Sequence, residues 1–372
     1  TKRPEAVPVD AAVLYQANAP LQVRSLSQDP PKHGEVLVRM GAAGVCASDY
    51  HVIHGTARLP LPAVLGHEGA GTVEAVGPGV TSVQPGQRCI LSFISNCGHC
   101  HQCRSGHPQL CDTNAQTGAS QFDGTVRLHD DDGNDVFQMA KLGVFAQKLV
   151  APAQACFPIP DEVPIDVAAL IGCCVTTGAG GVFHQPGMRP GASVAVIGCG
   201  GVGLNTVQAA RIMNASQIIA VDVHDHKLEF SRGFGATDVV NSRTTDAVAA
   251  IKELSGGGVD FAFDTFGSAD TSRQAVEALR KNGHAVVIGL APLEDRAPID
   301  LVDMVRNQKT LVGSYYGSAS PHETFNTLVG LYVDGRIEID SLIRRRYPLG
   351  EINEAFDALG RGEDGRGVIM FE

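Results

Sequence analysis

From Ser193 to Ile212 the chain reads SVAVIGCGGVGLNTVQAARI. A short apolar run rich in β-branched residues has the composition of a buried strand. It is followed by Gly198, Gly200 and Gly203 in a G-x-G-x-x-G spacing, with Gly201 and Val202 inside it, and then by a segment of helical length. Strand, glycine turn and helix in that order form a dinucleotide-binding fingerprint. The first glycine permits the tight turn, the second lets backbone approach a pyrophosphate, and the third lets helix pack on strand. The positive end of the helix then faces the phosphates. The next apolar run, QIIAVD, closes on Asp222, nineteen residues past Gly203. An acid there binds ribose hydroxyls and repels a 2′-phosphate, so NAD is expected rather than NADP. No Arg follows at once; the next residues are Val223, His224, Asp225 and His226.

Working outward, ATDVVN, DFAFDTFG, HAVVIG and TLVGSYYG complete a set of six apolar strands. Segments such as LNTVQAARIMNA and SRQAVEALRKNG, read as helices, separate several of them. This alternation predicts a parallel, doubly wound α/β sheet. The first 170 or so residues differ: GEVLVRMGAAGVCASD, GHEGAGTVEAVGPGV and VQPGQRCILSF are short strands broken by Gly and Pro. They predict a β-rich domain. Two amphipathic helices (PHETFNTLVGLYVDG and EINEAFDALGRG) and a closing strand (RGVIMFE) are too little for a domain of their own. The expected division is therefore 1–174, 175–317 for the nucleotide fold as an insertion, and 318–372 returning to the first domain. DDDGND (130–135) reads as a solvated acidic turn.

Composition limits the partners. With 29 Lys+Arg against 40 Asp+Glu and a net charge of −11, no nucleic-acid surface is expected. No apolar run is read as long enough for a membrane span, so no membrane partner is expected. The first twenty residues show no signal-peptide pattern, and the expected location is cytoplasmic. In that reducing setting, ten cysteines point to metal binding or catalysis rather than disulfides. Cys89, Cys156 and Cys199 stand alone in apolar settings and read as small buried hydrophobes or, for Cys199, a tolerated turn position.

Asn96 to Cys111, NCGHCHQCRSGHPQLC, places Cys97, Cys100, Cys103 and Cys111 at C-x2-C-x2-C-x7-C. Four thiolates can close a tetrahedral zinc site with no open position, which makes a structural staple rather than a reaction centre. An iron–sulfur cluster is disfavoured because the run does not end in C-x3-C-P. His99, His101 and His107 read as solvated loop residues. Chemistry must then lie elsewhere. GVCASDYHVIHG supplies Cys46, Ser48, Asp49 and His51; LGHEGAG supplies His67 and Glu68; LIGCCVTTGAG supplies Cys173 and Cys174. Two thiolates and one imidazole with a vacant fourth position is a catalytic zinc arrangement.

Together, GVCASD, GHEGAGTVEAVGPGV, the four-cysteine lobe, LIGC, GCGGVG and RGVIMFE resemble the zinc-dependent alcohol dehydrogenases of the medium-chain dehydrogenase/reductase superfamily, in that family's order and over essentially the whole chain. The resemblance implies a GroES-like catalytic domain around the inserted Rossmann sheet. It implies two zinc ions per chain and NAD. One zinc is held by Cys46, His67 and Cys173, with Cys173 preferred to Cys174 because it follows LIG directly. The other is held by Cys97, Cys100, Cys103 and Cys111. It implies zinc acting as a Lewis acid that favours the alkoxide of a bound alcohol, and hydride transfer to nicotinamide. Ser48 and His51 would relay the proton to solvent. Asp49 would orient His67, and Glu68 would sit behind the metal. Thr177, Val202, Lys227, Ile288 and Leu290 align with cofactor contacts, and Arg366 with a pyrophosphate contact. One departure is Ala47, where several relatives place Arg or His against the pyrophosphate; its neutrality should weaken NAD binding.

The same resemblance places Phe93, Leu110 and Leu290 on the walls of a substrate pocket, with Ala57 where a bulkier or charged group can stand. This implies a primary aliphatic or aromatic alcohol. The alternative is a thiol-dependent formaldehyde dehydrogenase. Glutathione-dependent relatives carry an acid near 57 and an Arg near 115, where this chain has Ala57 and Ala115; a mycothiol-dependent version is less affected by that difference. A non-catalytic zinc- and NAD-binding protein is a third reading, against which all three catalytic ligands stand. The long segment between Cys111 and Cys173 resembles the vertebrate-type, usually dimeric branch more than the shorter tetrameric microbial branch, implying a homodimer built through the edge of the nucleotide sheet, with a tetramer as the alternative.

Overall fold

The structure, a computed structural model, describes residues 6–185 and 187–371; residues 1–5, Pro186 and Glu372 of the expected domain spans lie outside the described residues. The chain divides into two compact units. One runs to Cys173 and takes back Ser320–Val333 and Ile339 onward; the other is Cys174–Ala319 with Asp334–Glu338. The short Asp334–Glu338 segment therefore packs with the second unit, inside the 318–372 span assigned to the first.

In the first unit, strands Val7–Leu14, Gln22–Gln28, Leu128–His129, Asp135–Gln138 and Ala63–Val64 close a barrel. Beside it lies a sheet ordered Cys156–Pro158, Arg88–Leu91, Gly69–Val76, Glu35–Gly44, Arg366–Met370 and Ile343–Pro348, with Lys148–Pro152 added to Glu35–Gly44. The closing strand explains why the tail returns. Val368, Ile369 and Met370 pair antiparallel with Gly44, Ala43 and Ala42. That pairing supplies backbone partners that the tail cannot provide for itself. One continuous core joins barrel and sheet, including Val13, Val38, Met40, Leu65, Phe145 and Ile369.

The second unit is a six-stranded parallel sheet. In chain order its strands are Ser193–Ile197, Gln217–Asp222, Asp238–Asn241, Val259–Asp264, Leu279–Val287 and Thr310–Gly313. Across the sheet they run third, second, first, fourth, fifth, sixth, the doubly wound Rossmann order, with the topological switch between the first and fourth. Burial on both faces accounts for the near-continuous apolar runs of the central strands, as in SVAVI with Val194, Ala195 and Val196 wholly buried; the sixth strand, at the edge, is largely exposed.

Two readings change. SRQAVEALRKNG is not all helix: the helix stops at Glu277 and Leu279 already begins the fifth strand, which bulges before His284 resumes pairing. Asn282 there adopts φ +61°, a bend that helical periodicity does not report. The reading that no apolar run is long enough for a span also needs correction. The helical segment Ile165–Phe183 has 19 residues and mean hydropathy 1.6, and 89% of its most apolar window is buried inside the protein. It is core here because protein side chains already cover its apolar surface.

Candidate active site and metal centres

Cys46 follows strand Glu35–Gly44 and caps the N-terminus of helix Ala47–Ile53. His67 lies just before strand Gly69–Val76. Cys173 sits in a wide π turn, Ile171–Val175, between helices Ile165–Leu170 and Thr176–Phe183. Such turns insert a residue and re-aim the side chains around it. Gly172 lets this turn lie close on the sheet, since a Cβ there would stand 2.9 Å from the Leu91 carbonyl oxygen. The result brings the three ligand atoms within 4.8 Å of one another, all in the first unit. Cys173 Sγ is 3.4 Å from His67 Nε2. Cys46, His67 and Cys173 are 9%, 3% and 6% exposed. Cys174 belongs with the second unit and is not part of the set.

The orientation of His67 comes from Asp49, which is wholly buried on the helix after Cys46. Asp49 Oδ1 accepts the Gly66 backbone N–H at 2.9 Å and lies 3.2 Å from His67 Nδ1. With Nδ1 donating to that carboxylate, Nε2 presents its lone pair towards the thiols. A hydrogen bond from Cys173 is the largest influence on Cys46 and, with the His67 charge, holds its thiol well below the usual range against burial. Burial alone would push His67 down, but Asp49 and Cys46 outweigh it and raise its pKa well above normal. Burial raises Asp49, opposed by His67. Lowered Cys46 and raised His67 proton affinities mark a site where a positive charge is favoured between thiol and imidazole. A divalent cation supplies that charge, and two thiols with one imidazole whose ligand atoms lie within 4.8 Å of one another fit zinc.

Behind the cluster, wholly buried Glu68 pairs with the Arg366 guanidinium, which also donates to the Val45 carbonyl at 2.8 Å. Arg366 is 6% exposed and belongs to the first unit. The family resemblance implies a pyrophosphate contact for Arg366; its pairing with Glu68 has no signal in the sequence. Ser48 is half-buried and His51 exposed on helix Ala47–Ile53. The Phe93 ring meets the His67 ring edge-on, centroids 5.3 Å apart. Ala57 is half-buried; Leu110 is 46% exposed on the four-cysteine lobe, and Leu290 is 68% exposed in the second unit.

Cys97, Cys100, Cys103 and Cys111 form the second cluster, their sulfurs within 4.8 Å. Backbone N–H groups aim at the sulfurs: Cys97 N and Asn114 N at Cys111 Sγ (3.3 and 3.4 Å), and Cys100 N at Cys97 Sγ (3.3 Å). The Thr113 hydroxyl donates to Cys97 Sγ at 3.3 Å, a support the spacing alone did not indicate. Burial would raise Cys97, but these donors bring it down to about 6; burial pushes Cys103 up to about 12. Cys100 falls and Cys111 rises. Four thiols so close cannot all ionise without a cation, and a zinc ion meets that need.

In the second unit, Gly198 adopts φ +99°, and a Cβ on Gly203 would come within 1.8 Å of the Gly198 carbonyl oxygen. A Cβ on Gly200 would meet nothing within 4 Å, which leaves room for a phosphate at the start of helix Gly201–Ile212. Asp222 is held in place by Cys199 N–H at Oδ2 (2.8 Å) and His224 N–H at Oδ1 (3.1 Å). Gly201, Thr177, Val202 and Lys227 are half-buried and Ile288 is buried. The turn fits a dinucleotide.

Residues 32–161 match the alcohol dehydrogenase GroES-like domain, and residues 201–334 match the zinc-binding dehydrogenase family. An NDMA-dependent alcohol dehydrogenase of Amycolatopsis methanolica is 38% identical over 366 residues, covering 97% of this chain and 98% of its own. The chain belongs to the zinc-dependent alcohol dehydrogenases of the medium-chain dehydrogenase/reductase superfamily. This alcohol dehydrogenase is also similar to the S-(hydroxymethyl)glutathione dehydrogenase of Saccharomyces cerevisiae, 35% identical over 368 residues, covering 96% and 95% of the two chains. The crystal structure of benzyl alcohol dehydrogenase from Acinetobacter calcoaceticus superimposes with a TM-score of 0.91 at 35% identity, covering 98% of this chain and 100% of that one.

Proposed function

We propose that this dehydrogenase catalyses the reversible, NAD-linked oxidation of primary aliphatic or aromatic alcohols to aldehydes, with zinc at Cys46, His67 and Cys173 and a second zinc at the four-cysteine lobe. The observation that carries the reading is the buried Cys46–His67–Cys173 cluster with Asp49 fixing the ring. Bound there, zinc supplies a Lewis acid that lowers the pKa of an alcohol hydroxyl, and NAD supplies the hydride acceptor. Asp49 holds His67 in its ligating tautomer. Phe93, edge-on to His67, gives an apolar wall suited to an aliphatic or aromatic group. Ser48 takes the alcohol proton and exposed His51 delivers it to solvent. Asp222, anchored by two backbone N–H groups, binds ribose hydroxyls and disfavours a 2′-phosphate.

Relatives named S-(hydroxymethyl)glutathione dehydrogenase support a second reading, oxidation of a thiol adduct of formaldehyde. Ala57 and Ala115 offer no charge for such an adduct. A homodimer is proposed through the sheet edge at Thr310–Gly313. That strand ends the sheet, and Leu301, Val302, Val305 and Leu311 are 73%, 58%, 76% and 40% exposed nearby in the chain. A reducing, cytoplasmic location accords with ten cysteines and no disulfide among the described residues.

The test is a panel of alcohols, benzyl alcohol included, with NAD and with NADP, beside formaldehyde with and without glutathione or mycothiol. NADH formation from alcohols without added thiol, lost on chelation, is expected. Turnover only with a thiol would transfer the assignment to the second reading, and a preference for NADP would overturn the role of Asp222.

A further inference from the structure

Helix Ala47–Ile53 ends with Gly55 at φ +70°. Gly55 N–H bonds the Val52 carbonyl at 3.1 Å and Thr56 N–H bonds the His51 carbonyl at 2.9 Å. This is the Schellman arrangement, which folds the second residue beyond a helix back over the residue one turn inside it. Residue 56 is thereby placed on residue 51 by backbone geometry. In this motif that contact is frequently apolar; here it is Thr on His. Thr56 Oγ1 lies 3.1 Å from His51 Nδ1 and donates its own proton to the His51 carbonyl, also at 3.1 Å. A hydroxyl has one proton and two lone pairs. With its proton on the carbonyl, Oγ1 can only accept from Nδ1.

We propose that Thr56 is a positioning residue for the proton relay: its hydroxyl holds Nδ1–H of His51, so that Nε2 is the nitrogen that takes and releases the proton. The inference rests on the relay role of His51 given above and adds a residue to it. Nε2 has no hydrogen-bond partner among the described residues, and the side chain is exposed. When Nε2 gains a proton the ring becomes imidazolium and both nitrogens donate. The Nδ1–H···Oγ1 bond is then already made, and it becomes charge-assisted without any hydroxyl rotation. The proton accepted at Nε2 leaves from Nε2 to solvent, so the ring returns to the same tautomer.

The variants Thr56→Val and Thr56→Ser, alone and with His51→Gln, test this in the full-length, zinc-loaded enzyme. The measured quantity is the single-turnover rate of NADH formation against pH. Thr56→Val should lower the rate near pH 7 by roughly three- to tenfold, the worth of one hydrogen bond. The loss should shrink as the pH rises and solvent base takes the proton directly. Thr56→Ser should restore the rate, and Thr56→Val should add nothing once His51 is Gln. Long-range 1H–15N spectra should show neutral His51 protonated on Nδ1 in the wild type and shifted towards Nε2–H in Thr56→Val. A rate loss equal at every pH and undiminished in the His51→Gln background, or an unchanged tautomer in Thr56→Val, would overturn the proposal. If His51→Gln itself leaves the pH profile unchanged, the relay reading fails, while the tautomer spectrum still decides what Thr56 does.

Discussion

Asp49→Asn separates the electrostatic work of the buried carboxylate from its shape. Asn retains an oxygen where Asp49 Oδ1 accepts from Gly66 N–H and His67 Nδ1. What it removes is a charge in a wholly buried place. A hydrogen bond to an ion contributes about 1.5–3 kcal/mol and a neutral one about 0.5–1.5 kcal/mol, so about 1–2 kcal/mol is lost at His67. That corresponds to roughly 5- to 30-fold weaker zinc binding at the Cys46–His67–Cys173 site, near the range usual for groups that orient a metal ligand. The effect on folding should be smaller, because two consequences oppose. Asp49 Oδ2 has no hydrogen-bond partner among the described residues, so an amide N–H there would be unsatisfied, but the burial that raises the Asp49 pKa also shows that its charge is costly. The four-cysteine lobe serves as an internal reference. Zinc per chain by mass spectrometry and competition with a fluorescent chelator should show one ion loosened and the other retained. Asp49 also raises His67, so its neutralisation lowers the proton affinity that zinc must overcome, and uptake should become less steep with pH. Both ions held within twofold of the wild type would refute the reasoning.

Cys97→Ser should remove the lobe zinc and lower the melting temperature while the other zinc is kept; in the wild type, uptake by the metal-free lobe should weaken as the pH falls through about 6, where Cys97 takes up its proton. Gly203→Ala forces a Cβ against the Gly198 carbonyl, and NADH fluorescence titration should give a dissociation constant raised at least about tenfold. Ala47→Arg adds a cation at an exposed helix start and should lower the NADH dissociation constant by roughly two- to tenfold; an unchanged value counts against a pyrophosphate neighbour. Val305→Glu should leave a monomer folded but shift light-scattering mass from dimer to monomer, and an unaltered dimer would remove this face from the interface.

Much of the molecule was legible because the relevant signals are local. The six strands announce themselves by apolar runs, most of them rich in β-branched residues, and G-x-G-x-x-G between strand and helix carries its own stereochemistry. The four-cysteine lobe spans fifteen residues, so its spacing is nearly its geometry. Where local signals ran out, readings drifted. The bulge after Leu279 hides in a helical-looking sequence, and Ile165–Phe183 is apolar enough to mimic a membrane span.

What the sequence by itself determined is the inventory: a Rossmann fingerprint with an acid at Asp222, a thiolate set for a closed metal site, and two thiols and an imidazole able to form an open one. Only the tertiary structure decided which groups act together. Cys46, His67 and Cys173 meet because a strand end, a loop and a π turn converge on one sheet. Asp49 reaches His67 from a different segment, Arg366 reaches Glu68 across some three hundred residues, and a helix-stop motif sets Thr56 on His51. Such pairings depend on chain crossings and burial. Spacing along the sequence encodes neither; it fixes distances only where the chain is locally regular.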